Sequence, residues 1–403
     1  MKQNFNSQEL LRYLKKGELI RNGLEKEDVA DEIDKLEVNI LNESFEFNIK
    51  TNGVFYFLED IPQKLILRKL NDNIKRIYKD EQANRKFIIQ QVKTLLNENA
   101  PFWIIKTDIK SFYESIDREK IFKKLKDDAM LSYYSIFLLR KIFENSNIES
   151  NLGLPRGMNI SSTLSEIYMR KFDRWIQRHS DVYYYARFVD DIIIFLSNKE
   201  SALDLYNSLD INLENVSLEI NTTKTELIEG ATFKIIDKRY DKRPEHNKIE
   251  YLGYQFYLEK TESKRENKLR ISIADKKIKK IKTRIISSYV DFIKNQDFEL
   301  LKKRVKFLSG NYGISKSTDG SILKAGIFFN YTHLNNLEVL NELNVFHKKV
   351  IYSKKGNLGI RLNAILTLNQ RNLLKKNCFI AGHKNKTYNS FSYTEMGRII
   401  KCW

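Results

Sequence analysis

The chain has 403 residues, too many for one small core, so two or three subdomains are expected. Apolar residues make up 42% of it, with 24 Phe and 21 Tyr, which excludes wholesale disorder. Lys and Arg number 70 against 52 acidic residues, and the net charge of +18 favours a polyanionic partner, either nucleic acid or an anionic membrane.

Cys378 and Cys402 lie far from any CxxC or Cys/His cluster, which argues against a structural zinc site or a disulfide framework and fits a reducing cytosol. The opening stretch MKQNFNSQELLRYLKKGELI lacks the apolar region of a signal peptide, and no apolar run approaches a membrane span. A soluble cytoplasmic protein without membrane partners is the expectation.

In chain order, residues 1–63 begin with helix-like SQELLRYLKKG and continue into a hairpin around NIKTNGVFYFL, where Asn52-Gly53 is a turn signal. Residues 64–99 carry helical apolar spacing with frequent Arg and Lys, and FWIIKTDI (Phe102 to Ile109) reads as a short buried strand. SFYESIDREKIFKKLKDD and SSTLSEIYMRKFDRWIQRH read as helices. VYYYARFVDDIIIFLS reads as a hairpin, SLEINTTKTELIEG as strand, turn and strand, and IEYLGYQFYL as one further strand. This order predicts an α+β fold with helices on one face of a sheet. From about Asp275 the texture becomes helical, with six basic residues between Lys276 and Arg284. A domain boundary is expected at 260–275.

The adjacent pair Asp190-Asp191 interrupts a run of aromatic and β-branched residues. An Asp pair in a turn is ordinary, but strands this apolar lie over a core, so the pair stands at the edge of a packed sheet. A divalent cation would relieve the repulsion between the two charges. A third carboxylate is available in Asp108, at the end of a buried strand 82 residues before Asp190. Two Mg²⁺ ions (or Mn²⁺) held by such a set form a clamp for in-line nucleotidyl transfer. Asp117, in the same segment, reads as a helix cap.

Five segments occur in the order and at the spacing of reverse-transcriptase motifs: TDIKSFYESID with Asp108, GLPRGMNISSTLSEIYM, FVDD, NTTKTE with Lys224, and YLGY. Together they cover about residues 64–260, and on them the chain resembles a reverse transcriptase. The resemblance implies a right-hand polymerase fold, with a 1–63 extension, fingers and palm over 64–260, and a helical thumb and C-terminal region over 261–403. It implies that Asp108, Asp190 and Asp191 hold the catalytic metals with the carbonyl of Ile109. Tyr113 stands where the family places a steric gate against a ribose 2′-hydroxyl, while Phe112 reads as core.

In LPRG (Leu154 to Gly157), Arg156 departs from the usual Gln, which places nucleotide and template reading in doubt; Gly157 would admit close backbone approach. Lys224 resembles the lysine near the triphosphate, although a lone Lys in a turn is more often a solvated charge. Arg85 resembles the fingers arginine that clamps the triphosphate, with Lys75 or Arg76 assisting. The helix carrying Lys276, Lys277, Lys279, Lys280 and Arg284 resembles a thumb gripping a duplex through phosphates; a solvated helix face is the plainer alternative.

Among reverse transcriptases the segments look most like the bacterial unknown-group enzymes, including abortive-infection and defence-associated ones. The smaller subunit of the type-3 defence-associated system is the finest resemblance. This implies antiviral function, an RNA template supplied as a dedicated non-coding RNA, deoxynucleotides and a DNA product. A second reverse-transcriptase subunit or a homo-oligomer is left open. Two other readings stay open: template-independent or protein-primed DNA synthesis, and a catalytically silent RNA-binding scaffold.

Overall fold

A computed structural model describes residues 2–15, 17–79, 83–98, 100–148, 153–230, 232–238, 248–260, 267–316 and 322–403. The chain divides into two compact units, Met1–Ile88 with Asn99–His246, and Ile89–Glu98 with Asn247–Trp403.

The first unit opens on short helical turns, the helix Lys26–Leu41 and a two-stranded antiparallel sheet, β1 (Ile49–Asn52) and β2 (Phe55–Leu58). Its centre is a five-stranded sheet of β3 (Trp103–Asp108), β4 (Val182–Phe188), β5 (Asp191–Leu196), β6 (Glu226–Glu229) and β7 (Lys234–Lys238), in the order β4-β5-β3-β6-β7. Every pairing is antiparallel. β5 lies between two neighbours, and its Ile192, Ile193, Ile194, Phe195 and Leu196 are fully buried. That is why it reads as a continuous apolar run rather than an alternating one.

The helical stretch expected over 64–99 is two helices, Ile61–Tyr78 and Arg85–Leu95. Asp60 caps the first by accepting from the Gln63 amide, with Pro62 in its first turn. The helix Asn159–Gln177 packs on Ile61–Tyr78 and on β4. Asp117 caps the helix Arg118–Asp127, accepting from the Lys120 amide at 3.1 Å.

In the second unit, IEYLGYQFYL is not one strand. It is the hairpin β8 (Lys248–Tyr251) and β9 (Tyr254–Lys260), which β10 (Asn267–Ile273) extends into a separate three-stranded sheet. Leu252 and Gly253 both take positive φ, 45° and 80°, as a tight two-residue hairpin turn demands. A leucine in that conformation leaves no sequence signal. Helices Asp275–Asn295 and Phe298–Ser309 follow, divided at Gln296 and capped by Asp297. The hairpin of β11 (Asn311–Lys316) and β12 (Ile322–Gly326) interrupts the expected helical remainder. Among the described residues no helix is long and apolar enough to cross a membrane.

Candidate active site

β3 and β5 run antiparallel with Asp108 opposite Asp191, so the sheet register alone brings carboxylates from distant segments to one end. The Ile109 amide donates to the Asp190 carbonyl at 3.2 Å and carries the pairing one residue past the strand end. Asp190 sits in the turn between β4 and β5, and Val189 before it has φ of 62°, rare for a β-branched residue.

Burial raises the pKa of Asp190, the charge of Asp108 adds to that, and Lys224 and Arg156 partly offset it. Asp191 is pushed up to about 6 by burial and by the charges of Asp190 and Asp108. The three carboxylates therefore repel one another with too little positive charge among them.

Lys224 supplies most of that charge. Its Nζ lies 2.6 Å from Oδ2 and 2.9 Å from Oδ1 of Asp108, which is buried. Burial alone would lower the lysine pKa, but the Asp108 hydrogen bond and the neighbouring carboxylates raise it. Asn221 Nδ2 also donates to Asp108 Oδ1 at 3.3 Å, and the Asn221 amide to the Asp108 carbonyl at 2.7 Å. Among the described residues no three acidic, His or Cys side chains stand at mutual metal-ligand distance. The donor chemistry nonetheless fits a hard divalent cation: oxygen ligands only, an excess of negative charge, and a lysine ammonium on the carboxylate that a cation would take. Seating an ion there requires Asp108 to exchange Lys224 for it.

A cleft of about 270 Å³ is lined by Phe55, Tyr113, Arg156, Gly157, Met158, Asn159, Ser161 and Ser162, and the charge of Asp190 acts on two of these, Tyr113 and Arg156. Tyr113 is half-buried, and burial raises its pKa, with the charges of Glu166 and Asp190 adding to that against the Ser165 hydroxyl and Arg156. Phe112 is core. Arg156 makes a two-pronged ion pair with Glu114, with Nη2 2.8 Å from Oε2, and its guanidinium lies 5.7 Å over the Tyr113 ring. The residue that departs from the family pattern is therefore anchored beside the gate position. Gly157 has φ of 94°, and a Cβ there would fall 2.7 Å from the Tyr56 carbonyl. Its close approach is to the β1–β2 hairpin, whose Tyr56 amide donates to the Arg156 carbonyl at 2.7 Å.

Asp108, Asp190, Asp191 and Lys224 are thus one cluster, and Tyr113, Arg156 and Gly157 one cleft wall. Arg85 begins its helix but does not line the cleft. Lys75 is half-buried, and Arg76 pairs with Asp72 at 2.9 Å. Lys276, Lys277, Lys279 and Lys280 are exposed on Asp275–Asn295, whereas Arg284 lies 5.1 Å over the Trp403 ring.

Residues 61–256 match the family model described as Reverse transcriptase (RNA-dependent DNA polymerase). Over those residues, just under half of the chain, the sequence is similar to a reverse transcriptase domain. Its mixture of helices and antiparallel sheet is the right-hand polymerase fold. Similar solved structures include apo telomerase from Candida tropicalis truncated from its C-terminal domain, at 15% identity and TM-score 0.35, covering 60% of this chain and 49% of that one. Telomerase from Candida albicans in complex with a TWJ fragment of telomeric RNA is 13% identical with TM-score 0.34, covering 82% and 55%. The chain spans about half the length of these structures. No curated protein matches it significantly.

Three residues within the matched stretch 61–256 escaped the sequence reading. Arg187, with only 4% of its side chain exposed, donates to Asp173 at 2.9 and 2.8 Å and to Glu166 at 3.2 and 2.6 Å, both on Asn159–Gln177. Its Nη1 also donates to the Val189 carbonyl at 3.0 Å, inside the aspartate turn. Burial opposes its charge, but Asp173 and Glu166 hold its pKa far up. Its place directly before FVDD was the available signal.

Proposed function

We propose that the chain is an RNA-directed DNA polymerase that joins deoxynucleotides by two-metal nucleotidyl transfer, serving antiphage defence from a dedicated non-coding RNA. The observation that carries the chemistry is the register that sets Asp108 against Asp191, with Asp190 bonded to the Ile109 amide. The defence role rests on the sequence resemblance alone. Asp108, Asp190, Asp191 and the Ile109 carbonyl would hold two Mg²⁺ ions. When bound, these supply activation of a primer 3′-hydroxyl and charge stabilisation at the leaving pyrophosphate. Tyr113 places its ring under the incoming sugar. Arg156, held by Glu114, offers its guanidinium to phosphate or a base edge, and Lys224, released from Asp108, faces the triphosphate. Residues 64–260 act as fingers and palm, 261–403 as thumb and C-terminal region, with exposed Lys276, Lys277, Lys279 and Lys280 toward duplex phosphates.

A silent RNA-binding scaffold is the second reading, and the Lys224–Asp108 ion pair favours it, since that pair neutralises one of the three carboxylates. Purified protein with co-purifying nucleic acid, given Mg²⁺ and labelled deoxynucleotides beside an Asp190→Asn variant, separates them. The polymerase reading expects a discrete bound RNA and DNA synthesis that the variant loses while remaining folded. Synthesis unchanged in Asp190→Asn overturns the site. Bound RNA without synthesis supports the scaffold, and synthesis without RNA supports template-independent or protein-primed chemistry.

A further inference from the structure

The β1–β2 hairpin precedes the residues matched to the reverse transcriptase family, yet one of its side chains lines the cleft. Its two faces differ sharply. Ile49 and Leu58 on the inner face are buried, and Tyr56 is half-buried. The outer face carries Lys50 and Asn52 from β1 opposite Phe57 and Phe55 from β2. Phe55 is 55% exposed and Phe57 37%. Solvated phenylalanines on a two-stranded ribbon gain nothing for the fold.

The ribbon is nevertheless firmly held. Asn145 Nδ2 donates to the Phe47 carbonyl at 2.7 Å and Asn147 Nδ2 to the Ile49 carbonyl at 2.9 Å. The Tyr56 amide bonds Arg156, and Gly157 is cut back to hydrogen to let the hairpin backbone approach. A braced ribbon therefore presents two aromatic rings to solvent.

We infer that the outer face of β1–β2 is a stacking platform for unpaired bases of single-stranded nucleic acid, continuous with the cleft through Phe55. Residues two apart on a strand face stand about 6.7 Å from each other, close to twice the ~3.4 Å rise between bases along one strand. Two rings at that spacing suit one unpaired base held between them, and stacking on phenylalanine is tolerant of sequence because every base has a π-face. Lys50, directly across from Phe57, supplies a cation for the backbone beside them, on a chain of net charge +18. Phe55 shares the cleft with Tyr113 and Arg156, so a strand lying on the platform runs into the cleft whose Tyr113 and Arg156 feel the Asp190 charge. The inference adds a binding function to the segment before the polymerase motifs and does not depend on turnover.

The test measures binding of a short fluorescein-labelled single-stranded RNA of mixed sequence by anisotropy, with the full chain and with neither metal nor nucleotides. A second probe carries 2-aminopurine, whose fluorescence reports stacking. Phe55→Ala and Phe57→Ala are each expected to weaken binding about 5- to 100-fold, the range for losing one stacked base. Phe55→Trp is expected to restore it and to quench 2-aminopurine as wild type does. Lys50→Ala is expected to flatten the dependence of log affinity on log salt by about 0.7. Both phenylalanines are exposed, so circular dichroism should match wild type. Affinity unchanged in both alanine variants overturns the inference. So does a result in which they abolish self-association in sedimentation while leaving RNA affinity intact, which would make the face a protein interface. Because no nucleotide is present, failure of DNA synthesis leaves this outcome separately readable.

Discussion

Arg187→Met removes a cation that ties the aspartate turn to the helix Asn159–Gln177. In the native protein its guanidinium bridges Glu166 and Asp173 and donates to the Val189 carbonyl. Deleting one partner of a buried ion pair costs about 3–5 kcal/mol. The two carboxylate side chains are each 19% exposed, so water recovers part of the loss and about 3 kcal/mol is expected. Val189 is held at φ of 62°, a conformation that costs a β-branched residue about 1–2 kcal/mol, and without the bond to its carbonyl that strain is no longer offset. Urea denaturation should show the loss in stability, hydrogen exchange at Phe188–Asp191 the loosened turn, and primer extension a fall in activity well below the unfolding temperature. Val189→Gly in the same background removes the strain and should recover about 1 kcal/mol and part of the activity. A stability loss under about 1 kcal/mol with unchanged exchange in the turn refutes the reasoning.

Gly157→Ala sets a Cβ against the Tyr56 carbonyl at a φ that L-residues avoid; a cost of about 1–2 kcal/mol and faster hydrogen exchange across residues 49–58 are expected. Tyr113→Ala should raise ribonucleotide use relative to deoxynucleotides by about tenfold or more, read by single-nucleotide incorporation; unchanged discrimination removes the gate. His347 is buried against the Tyr289 hydroxyl at 2.9 Å, and burial lowers its pKa to about 4. The unfolded chain takes up its proton near pH 6.5 and the folded chain only near 4. Stability is therefore undiminished by this group above pH 6.5 and is lost as pH falls from there toward 4, by about 3 kcal/mol. Denaturant midpoints of wild type and His347→Gln across that window check it, the variant showing the shallower decline.

Much of the site could be read from residues because its signals are local. An apolar run ending in Asp108, a hairpin whose turn holds Asp190, and Asp117 before a helix each follow from side-chain period and cap chemistry acting over a few positions. Sheet register then needed only antiparallel packing to bring Asp108 opposite Asp191. What the three-dimensional fold alone decided is who answers each charge. Lys224 looks like any solvated lysine until packing sets it 2.6 Å from Asp108. Arg156 is a departure of unknown consequence until Glu114, 42 residues away, anchors it. Arg187 is one charge in an apolar strand until Glu166 and Asp173 enclose it. Phe55 enters the cleft only because Gly157 admits the hairpin backbone. Period and propensity act over neighbouring residues, whereas a buried charge takes its partner from whatever the packed fold brings within about 3 Å, a distance that sequence separation does not encode.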